Sequence, residues 1–348
     1  MYTVLDYINY YKDIPFSKTG WNEIDNLICA ILCYLPLRNF EESIKFNELH
    51  TKFVRMRNSD DDSGMKMAIA VFELLDQGVR YSNVDVSHFI NIRNKSTQFG
   101  AMTFKTKGVK TIAFKGTDGT HISWLENFRL IYQERTNTQL LAIDYLDKQI
   151  GFFDRSDIYV VGHSKGGNLA MVSAMELSNF KFKKIKQVYN FDGPGFRKKE
   201  FESEKFERLS TKLTNIIPSG SLIGVLMYNK DYRVVSSNTI MGLDHFPTSW
   251  NIFGEFFIED KLGSVGRKLH QRTTVELEKL DPEIFKDSIE ELFKTLTNDR
   301  EHTSSIKLSF RYMKRVYDGI KVIDPKVKNY IDEMFYFLIL PTTKSRKK

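Results

Sequence analysis

The sequence predicts an α/β protein built on a three-layered, mostly parallel sheet, and three observations carry that prediction. Short β-rich runs alternate with helical patterns from about residue 97 to 235. The first two runs, QFGAMTFKT and KTIAFKG, are joined by the turn KGV and read as an antiparallel hairpin. A chain of 348 residues, 41% hydrophobic and 27% charged, is long enough to bury a full α/β core.

Taken in order, residues 1 to about 55 read as helices: NEIDNLICAILCYL has apolar positions at helical spacing after the capping residue Asn22. MKMAIAVFELLDQGVR, residues 65–80, is helical again and stops near Gly78. After the hairpin come the helical patterns LENFRLIYQ and TQLLAIDYLDKQI, the strand IYVVGH, and the helix NLAMVSAMELSNF. KQVYNFDG, KLTNIIP and YRVVSSN complete the strands, with a helical EFESEKFERLS between the first two. Beyond His245, residues 281–296, 306–320 and 325–339 read as amphipathic helices, with turn signals at Asp281-Pro282 and Asp324-Pro325. The expected division is a catalytic-type α/β domain over 1–261 and a helical C-terminal subdomain or cap over 262–348.

Several function classes are disfavoured at once. MYTVLDYINYYKDIPF lacks the basic and apolar regions of a leader, and no stretch reaches the roughly 18 apolar residues of a membrane span, so a soluble cytoplasmic protein is expected. Cys29 and Cys33 stand four apart, on one buried face of a helix, and suggest neither a disulfide framework nor a metal site. The net charge of +7 is spread along the chain, through Lys105 to Lys115, Lys181 to Lys186, Arg197 to Lys199 and the tail from Lys344 to Lys348. It forms no aromatic-interleaved stripe of the nucleic-acid-binding kind, so no nucleic-acid partner is expected. A solvated surface is the plain reading, with weak attraction to anionic membranes as the alternative. No metal-spaced cluster occurs, and neither metal nor cofactor is expected.

The chemistry concentrates in IYVVGHSKGGNLA. Gly162-His163-Ser164-Lys165-Gly166 fits G-x-S-x-G, in which a strained strand-to-helix turn presents the serine and the glycines allow close backbone approach. The β-rich run before it and the small-residue helix after it are the context that motif needs. A structural glycine-rich turn is the alternative. The N–H of Lys165, at the helix N-terminus, is the expected first donor to an oxyanion. Thr117 in IAFKGTDGT is the second, although KGTDG would also serve as a simple turn.

A base must follow the serine in the chain order serine, acid, histidine, which leaves His245, His270 and His302. His245 in MGLDHFPTSW follows the last β-rich run and is the assigned base; the other two read as solvated surface residues, and His163 as a packing or turn residue. The acid is less clear, because NIIPSGSLIG, its usual place, holds no carboxylate. Asp192 in YNFDGPGF, at the carboxyl end of a strand, is first choice, with a turn-forming role as its alternative. Asp231 is second, and Asp244 sits too close to His245 to orient its ring.

These segments, together with WNEIDNLICAILCYL, NIIPSGSLIGVLM and DYRVVSSNTIMGLDHFPTSW, resemble the Mbeg1-like family of bacterial proteins, itself similar to the class 3 lipases. The resemblance spans roughly residues 1–255. It implies an α/β-hydrolase fold with Ser164 as nucleophile, His245 as base, and Thr117 with Lys165 at the oxyanion hole. The family's FRGTD stands here as Phe114-Lys115-Gly116-Thr117-Asp118, and its Gly-Trp-Lys-Glu-Asp as Ser123-Trp124-Leu125-Glu126-Asn127. The position near Gly220 where the lipases carry their acid is vacant.

The expected function is therefore serine hydrolysis of carboxylic esters, with an acyl-lipid or other apolar acyl substrate. An acyltransferase or thioesterase would use the same residues. The competing expectation is a hydrolase-fold binding or membrane-associated protein without turnover.

Overall fold

The structure is a computed structural model that describes residues 2–54, 62–239, 243–297, 319 and 323–331. All but Gly319 of the expected helix over 306–320, most of that over 325–339, His302 and the basic tail from Lys344 lie outside the described residues.

Eight strands form the main sheet in simple spatial order: β1 (Ile44–Lys45), β2 (Asp85–Arg93), β3 (Gln98–Thr106), β4 (Val109–Phe114), β5 (Asp157–His163), β6 (Ile185–Phe191), β7 (Leu213–Pro218) and β8 (Tyr232–Val235). The expected hairpin is β3 and β4, with Lys105 opposite Lys110. From β4 to β8 every neighbouring pair is parallel, and from β1 to β4 every pair is antiparallel. This is the α/β-hydrolase type of sheet. β1 and β2 carried no clear alternation in the sequence: DVSHFINIR bears a register shift between Ser87 and Ile90, which breaks the period of two.

The alternation along the parallel strands sorts side chains into two layers. Ile158 and Val160 of β5, and Ile112 and Phe114 of β4, join one core with the helices Asn137–Gln149, Lys165–Glu176 and Glu204–Ser210. Val161 and Ala113 point the other way, onto the helices Glu23–Leu32 and Ser63–Asp76. The first of these starts where the sequence placed it. The Asn22 side chain accepts from the N–H groups of Ile24 and Asp25 at 2.9 and 3.2 Å, and Asp25 returns a capping box. Cys29 and Cys33 are both buried and unbridged, and Cys33 Sγ donates to the Ala113 carbonyl.

A third core joins the helix His121–Tyr132, the turn after β7, and the helices Ser264–Glu278 and Pro282–Thr297. Arg129 on the first of these pairs with Glu290 on the last at 2.8 Å. Tyr2–Thr3 pairs with Asn251–Phe253, and that strand with Phe256–Phe257, in a small antiparallel sheet that the sequence reading did not anticipate. No helix among the described residues is long and apolar enough to cross a membrane.

Candidate active site

Ser164 occupies the sharp turn between β5 and the helix Lys165–Glu176, with φ 58° and ψ −134°. A non-glycine residue in that region is strained, and it is held there by its surroundings. Its N–H donates to the Phe191 carbonyl of the next strand at 2.9 Å. The flanking glycines are required by close approach. A Cβ at Gly162 would lie 2.0 Å from the Gly166 oxygen, and one at Gly166 would lie 2.2 Å from the Phe114 oxygen. Ser164 Oγ makes no hydrogen bond among the described residues.

Asp192 ends β6 on the adjacent strand, also at positive φ (51°), and is fully buried. Its Oδ2 lies 2.7 Å from His245 Nδ1. A carboxylate only accepts, so Nδ1 carries the proton and Nε2 is left as the basic nitrogen. Oδ1 accepts from the Ser221 hydroxyl and from the Gly224 N–H at 3.0 Å. Ser221 belongs to the segment after β7 where an acid was expected and missing. There the chain supplies a hydroxyl that steadies a carboxylate carried one strand earlier.

His163, read from the sequence as packing, is fully enclosed and bridges two elements. Burial, and then the neighbouring His245, hold its pKa well below the ordinary value, so the ring is neutral. Its Nε2 lies 2.8 Å from the His245 carbonyl, which can only accept. Nε2 therefore carries the proton, and Nδ1 accepts from the Tyr34 hydroxyl at 3.2 Å. The backbone of His245 is thus tied to the residue next to Ser164, with the two histidine rings 4.6 Å apart.

The loop after β4 lies against the serine: a Cβ on Gly116 would be 3.1 Å from Ser164 Cβ and 2.1 Å from Tyr34 Oη. Thr117 Oγ1 is engaged by Asn127 Nδ2 at 3.0 Å. Among the described residues no acceptor is bonded to the backbone N–H of Thr117 or of Lys165. Asp118 braces the loop. Its carboxylate meets Arg93 at 2.7 Å and the Thr120 hydroxyl at 2.7 Å. Burial raises its pKa, but the charges of Lys115 and Arg93 outweigh that and bring it down to about 2.

The Lys165 side chain is buried rather than solvated. Its Nζ donates to Glu126 at 2.8 Å and to both the carbonyl and the side chain of Gln98 at 2.8 and 2.7 Å. Sequence reasoning used only the amide of Lys165 and missed Glu126, Gln98, Tyr34 and Ser221. They lie within segments that carry the family resemblance, but nothing in the local pattern gives them a part in the site, because each reaches it across the fold. Asp231 is exposed, away from the pairing that Asp192 makes. The Asp244 carbonyl accepts from Trp250 Nε1 at 2.7 Å. His270 is a correction: it is half-buried, and its Nδ1 lies 2.7 Å from the Val225 carbonyl rather than in solvent. The turn that packs the third core therefore holds it.

A comparison with curated proteins finds no match. Among solved structures, an M37 lipase aligns over 57% of this chain and 67% of its own, at 16% identity and a TM-score of 0.38. The family model of the Mbeg1-like proteins matches residues 75–294, which holds Thr117, Ser164, Lys165, Asp192 and His245 and reaches further toward the C-terminus than the resemblance in the motifs. The match covers well over half of the chain, and the protein belongs to the Mbeg1-like family.

Proposed function

We propose that the protein is a serine hydrolase of carboxylic esters, with Ser164 as nucleophile, His245 as general base and Asp192 as the acid that orients it. The observation that carries this reading is the contact between Asp192 and His245. A buried carboxylate on Nδ1 leaves Nε2 as the basic nitrogen, which supports a role in proton transfer.

In the proposed reaction Ser164 Oγ attacks the acyl carbonyl as its proton passes to His245 Nε2. That hydrogen bond forms in the Michaelis complex, where such contacts tighten. The tetrahedral oxyanion is received by the N–H groups of Thr117 and Lys165, the latter also the positive end of the helix Lys165–Glu176. Protonated His245 returns its proton to the leaving alcohol. Water, activated by the same nitrogen, then releases the acid from the acyl-enzyme.

The competing reading, a hydrolase-fold binding protein without turnover, drew its strength from an absent acid. The contact of Asp192 with His245 supports Asp192 in that role. Hydrolysis of a p-nitrophenyl ester chain-length series separates the two readings: turnover lost in Ser164→Ala supports the hydrolase and reports the acyl preference. No turnover on any chain length by folded protein favours the binding role.

A further inference from the structure

At the amino-terminal ends of the parallel strands lies a feature that the candidate site does not use. The turn over 151–156 leads into β5, and the helix Asn179–Lys184 leads into β6. Phe152, Phe153 and Phe180 on these segments are 68%, 87% and 47% exposed, although rings of this size are ordinarily buried. They contact each other: Phe152 stacks on Phe180 with centroids 5.0 Å apart and meets Phe153 edge-on at 4.9 Å.

The display is supported from below. Lys184 Nζ donates to the carbonyls of Gly151 at 2.9 Å, Phe152, and Asp154 at 3.2 Å, and stands 5.0 Å from the Phe180 ring centre. Lys110 fixes the Asp154 carboxylate at 2.6 Å. Four polar contacts therefore hold outward a turn that carries two apolar rings.

The charge around the rings is unbalanced. Asp144, Asp147, Asp154 and Asp157 are each already paired with a lysine. Arg155 and Lys183 are exposed and have no carboxylate partner among the described residues.

We propose that Phe152, Phe153 and Phe180, rimmed by Arg155 and Lys183, dock the protein onto an anionic lipid bilayer. The rings enter the boundary between headgroups and acyl chains, and the cations meet the phosphates. Either attraction is weak singly, and together they hold. A lysine-bearing rim favours phosphates over a protein partner, because protein interfaces are depleted in lysine. Ser164 stands at the other end of β5, roughly 20 Å away at the usual rise per residue. Docking by this surface tethers the protein with the candidate active site turned from the bilayer, and it is independent of whether Ser164 is a nucleophile.

The test is co-sedimentation of the full chain with sucrose-loaded vesicles of equimolar phosphatidylglycerol and phosphatidylcholine, against phosphatidylcholine alone. Binding is expected to the anionic vesicles only and to weaken with added salt. Phe152→Ser with Phe153→Ser, and separately Arg155→Glu with Lys183→Glu, should each lower partitioning about tenfold or more. All four side chains are exposed, so both variants should keep the wild-type Tm. Absence of vesicle binding by folded wild type overturns the proposal, as does binding that neither pair weakens. A dimer in sedimentation velocity that the phenylalanine pair dissociates would assign the patch to self-association and equally overturn it.

Discussion

Asp192 and His245 are 53 residues apart in the chain and meet at 2.7 Å, the carboxylate of one against Nδ1 of the other. The carboxylate is fixed on its far side by Ser221 and by the Gly224 N–H, so its orientation is set before any substrate arrives. A Cβ at Gly224 would come within 2.4 Å of Asp192 Oδ1, so that contact needs a glycine.

Removing the charge of Asp192 tests its assignment. Asp192→Asn offers Nδ1 an amide in place of a carboxylate and disfavours the productive tautomer. Ester kcat should fall about 10³ to 10⁴-fold, with KM changed only a few-fold. Asp231→Asn, at an exposed position, should leave both constants as they are; an equal loss there would reassign the acid.

The buried pair of Lys165 and Glu126 predicts a stability effect distinct from a catalytic one. Lys165→Met strands the Glu126 carboxylate and should cost about 3 to 5 kcal/mol in urea unfolding. Lys165→Met combined with Glu126→Leu should recover a large part of that loss. The Lys165 amide survives in both variants, so the folded fraction should keep most of its activity. A selective loss of kcat would give the ammonium a direct part in the chemistry.

His163 sets a pH dependence. Its pKa is lowered in the fold, so below its ordinary value of about 6.5 the unfolded chain takes up the proton first. Stability contributed by neutral His163 is present above that pH and is lost as pH falls toward the folded pKa. Wild type should therefore lose stability relative to His163→Gln as pH falls below about 6.5, at up to about 1.4 kcal/mol per pH unit. Parallel curves for the two proteins would mean that the ring is not held neutral.

Asp118 acts in a lower window. With its pKa brought down to about 2, its contribution is complete above about pH 4 and disappears as pH falls through 2. Asp118→Asn should cost about 2 kcal/mol at neutral pH, less as pH falls toward 2. It should also lower ester turnover, because Asp118 holds the loop that presents the Thr117 amide. Unchanged turnover would remove that loop from the oxyanion site.

Much of this arrangement was legible in the sequence because its signals are local. A β-rich run, G-x-S-x-G and a small-residue helix are contiguous, so the elbow at Ser164 could be read directly, as could the hairpin of β3 and β4. Asp192 was harder, since a strand-ending Asp before Gly-Pro-Gly satisfies turn chemistry equally well. Only the fold brings His245 against it. The contacts of Tyr34 with His163, and of Glu126 with Lys165, join residues 129 and 39 positions apart and have no periodic signature. β2 escaped because its bulge interrupts the alternation that marks a strand.

In the proposed mechanism Ser164 is a nucleophile activated by His245 and Asp192. The most direct measurement is the rate of labelling by a fluorophosphonate probe, with the site located by mass spectrometry, in wild type, Ser164→Ala, His245→Ala and Asp192→Asn. A single adduct on Ser164 is expected, absent in Ser164→Ala and formed at least about 10²-fold more slowly in the other two variants. Folded wild type that takes up no label, or labelling at Ser164 unaffected by loss of His245, would contradict it.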